Sequence, residues 1–437
     1  MNVQDGCECS KAELELFSVP PLNTSMEKAG YAVFLPISSL NETGPIEFNI
    51  NASADEYIDL GRTYIYIKLK VTKVGGENLD VTEKVAPVNL FLHSLFSQVD
   101  VKLRDTLVTP SVNTYPYKAY LETLLSYGAD AKETQLSAEL WCADNGNMDD
   151  GDPYAEDITN DGMKVRAQFI AKSKSLEMMG RIHCDIFQQD RYLLNNVDMY
   201  IKLIRSPQTF HLISNGTVYT TKIQDAAFHV RKVKLNPSIS LSHSKLLDQG
   251  KLVKYPIRRG VVTSFTISQN SLSFSKENVI SGQLPRRVVI GFVKNSAFNG
   301  NTKENPYNFQ HFDLNYLSLH NGTQSVPSQP LTPNFEKGEY LQAYMTLFEG
   351  TGMLNADRGH GIHREHYANG YALYAFDLTA DMCDGNHVDP IKHGSLRMEA
   401  HFNKALPSTV NVVVYAEYDN IIQIDRARNI IKDFASS

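Results

Sequence analysis

The stretch Ser94–Gly128, SLFSQVDVKLRDTLVTPSVNTYPYKAYLETLLSYG, reads as strand, turn, strand and short helix. From Tyr117 the apolar residues fall at Tyr117, Tyr120, Leu121, Leu124 and Leu125, the stripe of a helix that buries one face. Pro116 suits a first helical turn and Gly128 a helix end. The same offsets taken from Tyr340 give Ala343, Tyr344, Leu347 and Phe348, followed by Gly350, a displacement of 223. Two further echoes flank this one. Phe96, Asp100 and Leu103 are echoed by Phe309, Asp313 and Leu317. Gly180–Phe187 with Val197–Ile201 resembles Gly394–Phe402 with Val410–Val414. Repeats at so long a displacement imply two similar domains, since solenoid periods run about 20 to 50 residues.

Length points the same way: 437 residues exceed the roughly 250 to 300 at which single cores stop growing. Residues 1–29 carry Pro20-Pro21 and no clear period, and read as an N-terminal arm. Alternation begins near Tyr31, and Thr63–Val71 is dense in β-branched and aromatic residues, as strands are. Further strands are expected at Val165–Ile170, Arg181–Phe187, Val197–Ile204 and Lys222–Leu235. In the second half they are expected at Val261–Ser268, Arg287–Val293, Phe312–Leu319, Tyr371–Leu378, Ser395–Phe402 and Thr409–Ile424. Asn215-Gly216 and Asn321-Gly322 suit hairpin turns. Asn236-Pro237-Ser238 opens a short helical segment, Ile239–Leu247, so residues 236–252 are expected to link a first domain, 30–235, to a second, 253–437. Short strands and long loops predict a mainly β chain of two tandem eight-stranded jelly rolls, a double jelly roll with short helices inserted in the loops.

Composition excludes several function classes. Formal net charge is -7, and residues 143–163 hold seven acidic residues without Lys or Arg. The remainder is nearly neutral and lacks the basic face that general nucleic-acid binding needs. Five cysteines, Cys7, Cys9, Cys142, Cys184 and Cys383, lack a disulfide-framework spacing and suit a reducing compartment. MNVQDGCECSKAELELF has neither a basic start nor an apolar run, so no signal peptide is expected. No apolar run approaches membrane-spanning length, and sequons such as Asn23 and Asn41 are then uninstructive.

Candidate chemistry is thin. His360, His363 and His366 are spaced H-x2-H-x2-H, which matches no established zinc motif. Asn145, Asn147, Asp149 and Glu156 occupy positions 1, 3, 5 and 12 of an EF-hand-like loop, but Asp150 stands where the turn needs Gly. Nucleophile elbows and phosphate loops are absent, and Cys7-Glu-Cys9 has no partner pair. No catalytic, cofactor-binding or metal residues are assigned, and no enzyme activity or cofactor is expected.

The runs Ser94–Val101 and Asn113–Gly128 resemble the major capsid protein of Maverick/Polinton elements and adintoviruses. Gly282–Phe292, Asn305–Phe309, Gly370–Leu378 and Tyr415–Asp419 are similar runs in the second half. That resemblance implies a hexon-like structural protein whose homotrimeric, pseudo-hexameric capsomers tile an icosahedral virion. The implied partners are other copies, with penton and minor capsid proteins at the vertices and inner face. A carbohydrate-binding β-sandwich is the alternative, since jelly rolls also serve as lectins.

Overall fold

The computed structural model describes residues 12–14, 16–17, 19–20, 22–40, 43–380 and 389–434; Cys7, Cys9 and Cys383 lie outside them. The first eight long-range strands are β1 (Met26–Phe34), β2 (Ile46–Ile50), β3 (Glu56–Lys73), β4 (Phe96–Leu103), β5 (Thr106–Leu107), β6 (Leu176–Gly180), β7 (Met199–Arg205) and β8 (Tyr219–Leu235). They form two four-stranded sheets in the orders β1-β8-β3-β6 and β2-β7-β4-β5. The second set is β9 (Val253–Ile267), β10 (Ser273–Gln283), β11 (Arg287–Lys294), β12 (Leu314–Asn321), β13 (Gln324–Leu331), β14 (Leu373–Asp377), β15 (His393–Phe402) and β16 (Val410–Ile424). Their orders, β9-β16-β11-β14 and β10-β15-β12-β13, repeat the first set strand for strand. Each set is a jelly roll, and the chain is a double jelly roll.

Alternation builds the cores. Along β3, Ile65, Ile67, Leu69 and Val71 are buried while the residues between them are partly exposed, the period-2 pattern of a strand with one covered face. Phe48 of β2 meets Phe228 of β8 edge to face across the first sandwich, centroids 4.7 Å apart. Phe292 of β11 meets Phe402 of β15 at 5.8 Å in the second, so each roll closes on an aromatic pair between its sheets. The β12–β13 hairpin turns at Gly322 with φ 59°, where glycine carries no steric penalty. A helix, Pro237–Asp248, joins the rolls; the Asn236 side chain accepts from the Ser238 N–H and so caps it.

Sequence and structure part in four places. Val165–Ile170 is not a strand but the end of a helix, Asp161–Ile170, capped by Asn160 accepting from the Met163 N–H. Its β-branched residues mimic strand composition, yet Met163, Ala167 and Ile170 bury a helical stripe. Arg181–Phe187 leads out of β6 into a 3-10 turn, Asp185–Gln188. Gly394–Phe402 lies in β15, whose counterpart is β7, so that echo is displaced by one strand. Similarly, β4 corresponds to Leu314–Asn321, and Phe309 and Asp313 precede that strand. Alternating patterns match any neighbouring strand. The helical echo holds: Tyr115–Ser126 and Leu341–Gly350 both connect the fifth strand of a roll to the sixth.

Candidate functional site

The aromatic stripe that sequence reading singled out lies at the junction between the rolls. The Tyr115–Ser126 helix starts with Pro116 in its first turn and lies over β9 of the second roll. Thr114 Oγ1 donates to Val262 O at 3.1 Å. Tyr117 stacks on Phe298 at 5.1 Å, and Tyr120 lies nearly parallel to Tyr307 at 4.1 Å with Trp141 at 5.6 Å. The aromatic stripe thus seals one roll against the other as well as filling its own roll. Every residue from Tyr115 to Leu125 is buried.

The loop following this helix, with its acidic run, is drawn into the same junction. Asp144 is fully buried and receives Arg166 Nη2 at 2.5 Å and Asn160 Nδ2 at 2.8 Å. Its carbonyl accepts from the Tyr371 hydroxyl at 2.6 Å. Asp149 accepts from the Asn305 N–H at 2.9 Å and pairs with Lys294 at 3.3 Å. The side-chain oxygens of Asn145 and Asn147 accept from backbone N–H groups of Asp161 and Asp149. Asn145, Asn147 and Asp149 are therefore occupied in tying the loop to itself and to the second roll, rather than converging as a calcium loop would. The helix that sequence reading did not find beside this loop is Asp161–Ile170.

The three histidines are not brought together. His360 is buried, with Nε2 2.8 Å from Thr351 Oγ1, and burial, with Lys132 and two arginines adding, pushes its imidazole down to about 3. His363 is exposed, with its ring 5.7 Å from that of His366. Beside His360, Lys132 Nζ donates to Leu124 O and to His360 O, and burial lowers that ammonium to about 7.

Sequence reading missed a polar cluster beneath the Tyr115 helix. His93, Glu139 and His183 offer ligand atoms within 4.8 Å of one another, the one such group among the described residues. Their atoms already have partners. His93 contacts the Tyr115 hydroxyl at 2.9 Å and Glu139 at 3.1 Å. His183 contacts Glu122 at 2.7 Å and Thr123 at 3.3 Å. A closed hydrogen-bonded network of this kind is a complete account of these groups without an ion. Its members come from segments up to 90 residues apart, so no local spacing betrays it. The free thiols differ little in character: Cys184 is buried and pushed up to about 12 by burial, and Cys142 is half-buried and also raised by burial, which makes both inert.

Against this geometry stand two unequal surfaces. In the second roll the edge strand β9 is covered by the Tyr115 helix and by the Asp185–Gln188 turn; the Gly260 N–H donates to Asp185 at 3.1 Å. Among the described residues the equivalent edge strand of the first roll, β1, has no such cover: Tyr31 is 53% and Val33 56% exposed, and Leu35 and Ile37 beyond it are 66% and 63% exposed. The Leu341–Gly350 helix, counterpart of the buried one, leaves Leu341 exposed and Tyr344 and Phe348 half-exposed.

No family model matches the sequence. A protein of Caenorhabditis elegans, "Uncharacterized protein F54H12.2", is 23% identical over 433 residues, 95% of this chain and 99% of that one. The fold is shared with chains of solved virus structures. The chain superposes on a chain of the Sputnik virophage with TM-score 0.65 at 11% identity, covering 99% of this chain and 94% of that one. For the PBCV-1 virus capsid the values are 0.56, 9%, 96% and 99%. For the mavirus major capsid protein they are 0.51, 10%, 99% and 93%. At these identities the shared feature is the double jelly-roll fold. Among the described residues, no helix is long and apolar enough to cross a membrane.

Proposed function

We propose that this chain is the major capsid protein of an icosahedral virion, non-enzymatic, and assembling as a homotrimer with pseudo-hexagonal outline. The observation that carries the reading is the pair of unequal surfaces. Within one chain, a helix and turn of the first roll cover the edge strand of the second. Among the described residues this leaves an uncovered edge strand, β1, in one roll and a half-covered helix, Leu341–Gly350, in the other. A second copy offers the missing partner for each. Such head-to-tail contacts close into rings when each step turns through the right angle, and three chains of two rolls give six near-equivalent steps. Similarity in fold to a chain of the Sputnik virophage, to the PBCV-1 virus capsid and to the mavirus major capsid protein supports the same reading.

The finer reading follows the sequence resemblance. The chain belongs to a Maverick/Polinton or adintovirus-like element, with residues 1–29 as an arm, 30–235 and 253–437 as the two rolls and 236–252 as their link. Penton and minor capsid proteins meet it at the vertices and inner face. Light scattering on purified protein should give three times the chain mass, and negative-stain imaging should give hexagonal particles. Tyr31→Asp with Val33→Asp should disperse them. A wild-type monomer whose melting temperature is the same at every concentration would overturn the reading.

A further inference from the structure

Beneath the Tyr115 helix lies a second set of groups that shell assembly does not use. Lys118 sits on the helix, Glu122 one turn further on, and Asp185 in the 3-10 turn that follows β6. Lys118 Nζ is 2.5 Å from Asp185 Oδ1 and 3.8 Å from Glu122 Oε1. All three side chains are more than nine-tenths buried. Asp185 Oδ1 also accepts from the Gly260 N–H. Asp185 Oδ2 is buried and has no hydrogen-bond partner among the described residues. Glu122 Oε2, by contrast, accepts from His183 at 2.7 Å and Gln188 at 2.8 Å, and the Tyr415 hydroxyl lies 3.4 Å from its Oε1. A carboxylate with one oxygen held by donors and the other bare, against an amine, is arranged for loss of the bare oxygen.

We propose that Lys118 and Asp185 condense into an intramolecular isopeptide bond, with Glu122 carrying the protons. The ammonium of Lys118 first yields a proton, which Glu122 passes to Asp185 Oδ2, so that an amine faces a neutral carboxylic acid whose hydroxyl is on the bare oxygen. Nζ attacks Cγ, and the C–O bond electrons move onto Oδ1, where the Gly260 N–H stabilises the developing charge. Glu122 takes a proton from the new ammonium centre and delivers it to the departing Oδ2 hydroxyl. The C–Oδ2 bond breaks and one water leaves. The balance is ammonium plus carboxylate to amide plus water, with no oxidant, reductant or co-reactant.

The two carboxyl groups are separated in character as these roles require. Burial, with Glu122 adding, raises Asp185 toward its neutral form despite Lys118. Burial would raise Glu122 too, but Lys118 and His183 outweigh it and hold it at about 2, a carboxylate free to accept. Those two carboxylates also hold the Lys118 ammonium above its ordinary value against burial, so the first proton transfer runs uphill. Condensation removes one buried ammonium and one buried carboxylate, and Glu122 keeps both its donors. The bond would fasten the helix to the turn that covers β9, independently of whether the chain builds a shell.

Intact mass spectrometry of folded protein decides the matter. Wild type should weigh one water less than its sequence, and digestion should yield a branched peptide joining the Lys118 and Asp185 segments. Lys118→Arg and Glu122→Gln should keep the full mass. Asp185→Asn should form the same amide by losing ammonia. Folded wild type of full mass, with Lys118 and Asp185 in separate linear peptides, overturns the proposal whether or not any variant folds. A Glu122→Gln protein that still loses water overturns the role of Glu122.

Discussion

The helices Tyr115–Ser126 and Leu341–Gly350 occupy the same place in their rolls, yet one is buried along its length and the other only on one side. The first presents Tyr117 and Tyr120 to Phe298 and Tyr307 of the other roll. The second gathers Tyr340 and Tyr344 around Tyr367 of its own roll, at 5.8 and 5.5 Å, and leaves Leu341 49% exposed. Duplication supplied one helix for each roll, but a single chain can cover only one. Among the described residues the second helix has no covering neighbour from the other roll, and that difference is the physical content of the assembly reading.

The largest effect should separate the two helices outright. Leu121→Asp places an unpaired charge in a site 1% exposed and should cost at least about 4 kcal/mol, enough to leave the chain insoluble. Leu341→Asp should leave far-UV dichroism and the folded chain intact, with a loss within about 1 kcal/mol, while abolishing trimers on light scattering. Soluble, assembled Leu121→Asp protein would break the distinction.

Next in size is the acidic loop, which is anchored inside by one ion pair and at its rim by another. Arg166 and Asp144 are both fully buried, so Arg166→Ala leaves a buried carboxylate without its counter-charge and should cost about 3–5 kcal/mol in chemical denaturation. Lys294 and Asp149 are each about a quarter exposed, and Lys294→Ala should cost about 1 kcal/mol or less. Equal losses would mean that the loop is not held from within.

The pH dependence tests the roll junction where His360 lies. Its folded imidazole is pushed down to about 3 by burial, while an unfolded one titrates near 6.5. Between these values the unfolded chain binds a proton that the folded one refuses. His360 therefore contributes its full stability above about pH 6.5 and loses roughly 1.4 kcal/mol per unit as pH falls toward 3. In urea titrations, His360→Gln should flatten that slope by about one proton. An unchanged slope would mean that His360 is solvated.

Sequence reading reached the architecture because helix and strand periods are local. The stripe from Tyr117 to Leu125 and the alternation from Ile65 to Val71 are each visible within a dozen residues. It failed where two conformations share a composition, as at Val165–Ile170, whose outcome is set by the Asn160 cap and by what Met163 and Ala167 meet. The polar network of His93, Glu122, Glu139 and His183 was illegible for a different reason. Its residues are adjacent only after the short helix Phe91–Ser94, the Tyr115–Ser126 helix, the 3-10 turn Gln135–Glu139 and the segment after β6 have folded together, and no spacing in the chain encodes that. The aromatic stripe itself was read correctly as packing, but which surface it packs on, Phe298 and Tyr307 of the second roll, is a fact of tertiary structure.

The smallest effect discriminates how the two aromatic clusters are held. The hydroxyls of Tyr117 and Tyr307 are buried without a hydrogen-bond partner among the described residues, so their rings contribute shape and apolar area alone. Tyr307→Phe removes a polar atom that gains nothing from its site, and should leave stability unchanged or raise it slightly. The Tyr344 hydroxyl, in the other helix, donates to Ile362 O at 2.9 Å. Tyr344→Phe should therefore cost about 1 kcal/mol, the net value of one such bond. Thermal melts of the two variants side by side should move in opposite directions or differ by that amount. A loss in Tyr307→Phe as large as in Tyr344→Phe would mean that the junction hides a hydrogen bond, and that its aromatic faces are not what joins the rolls.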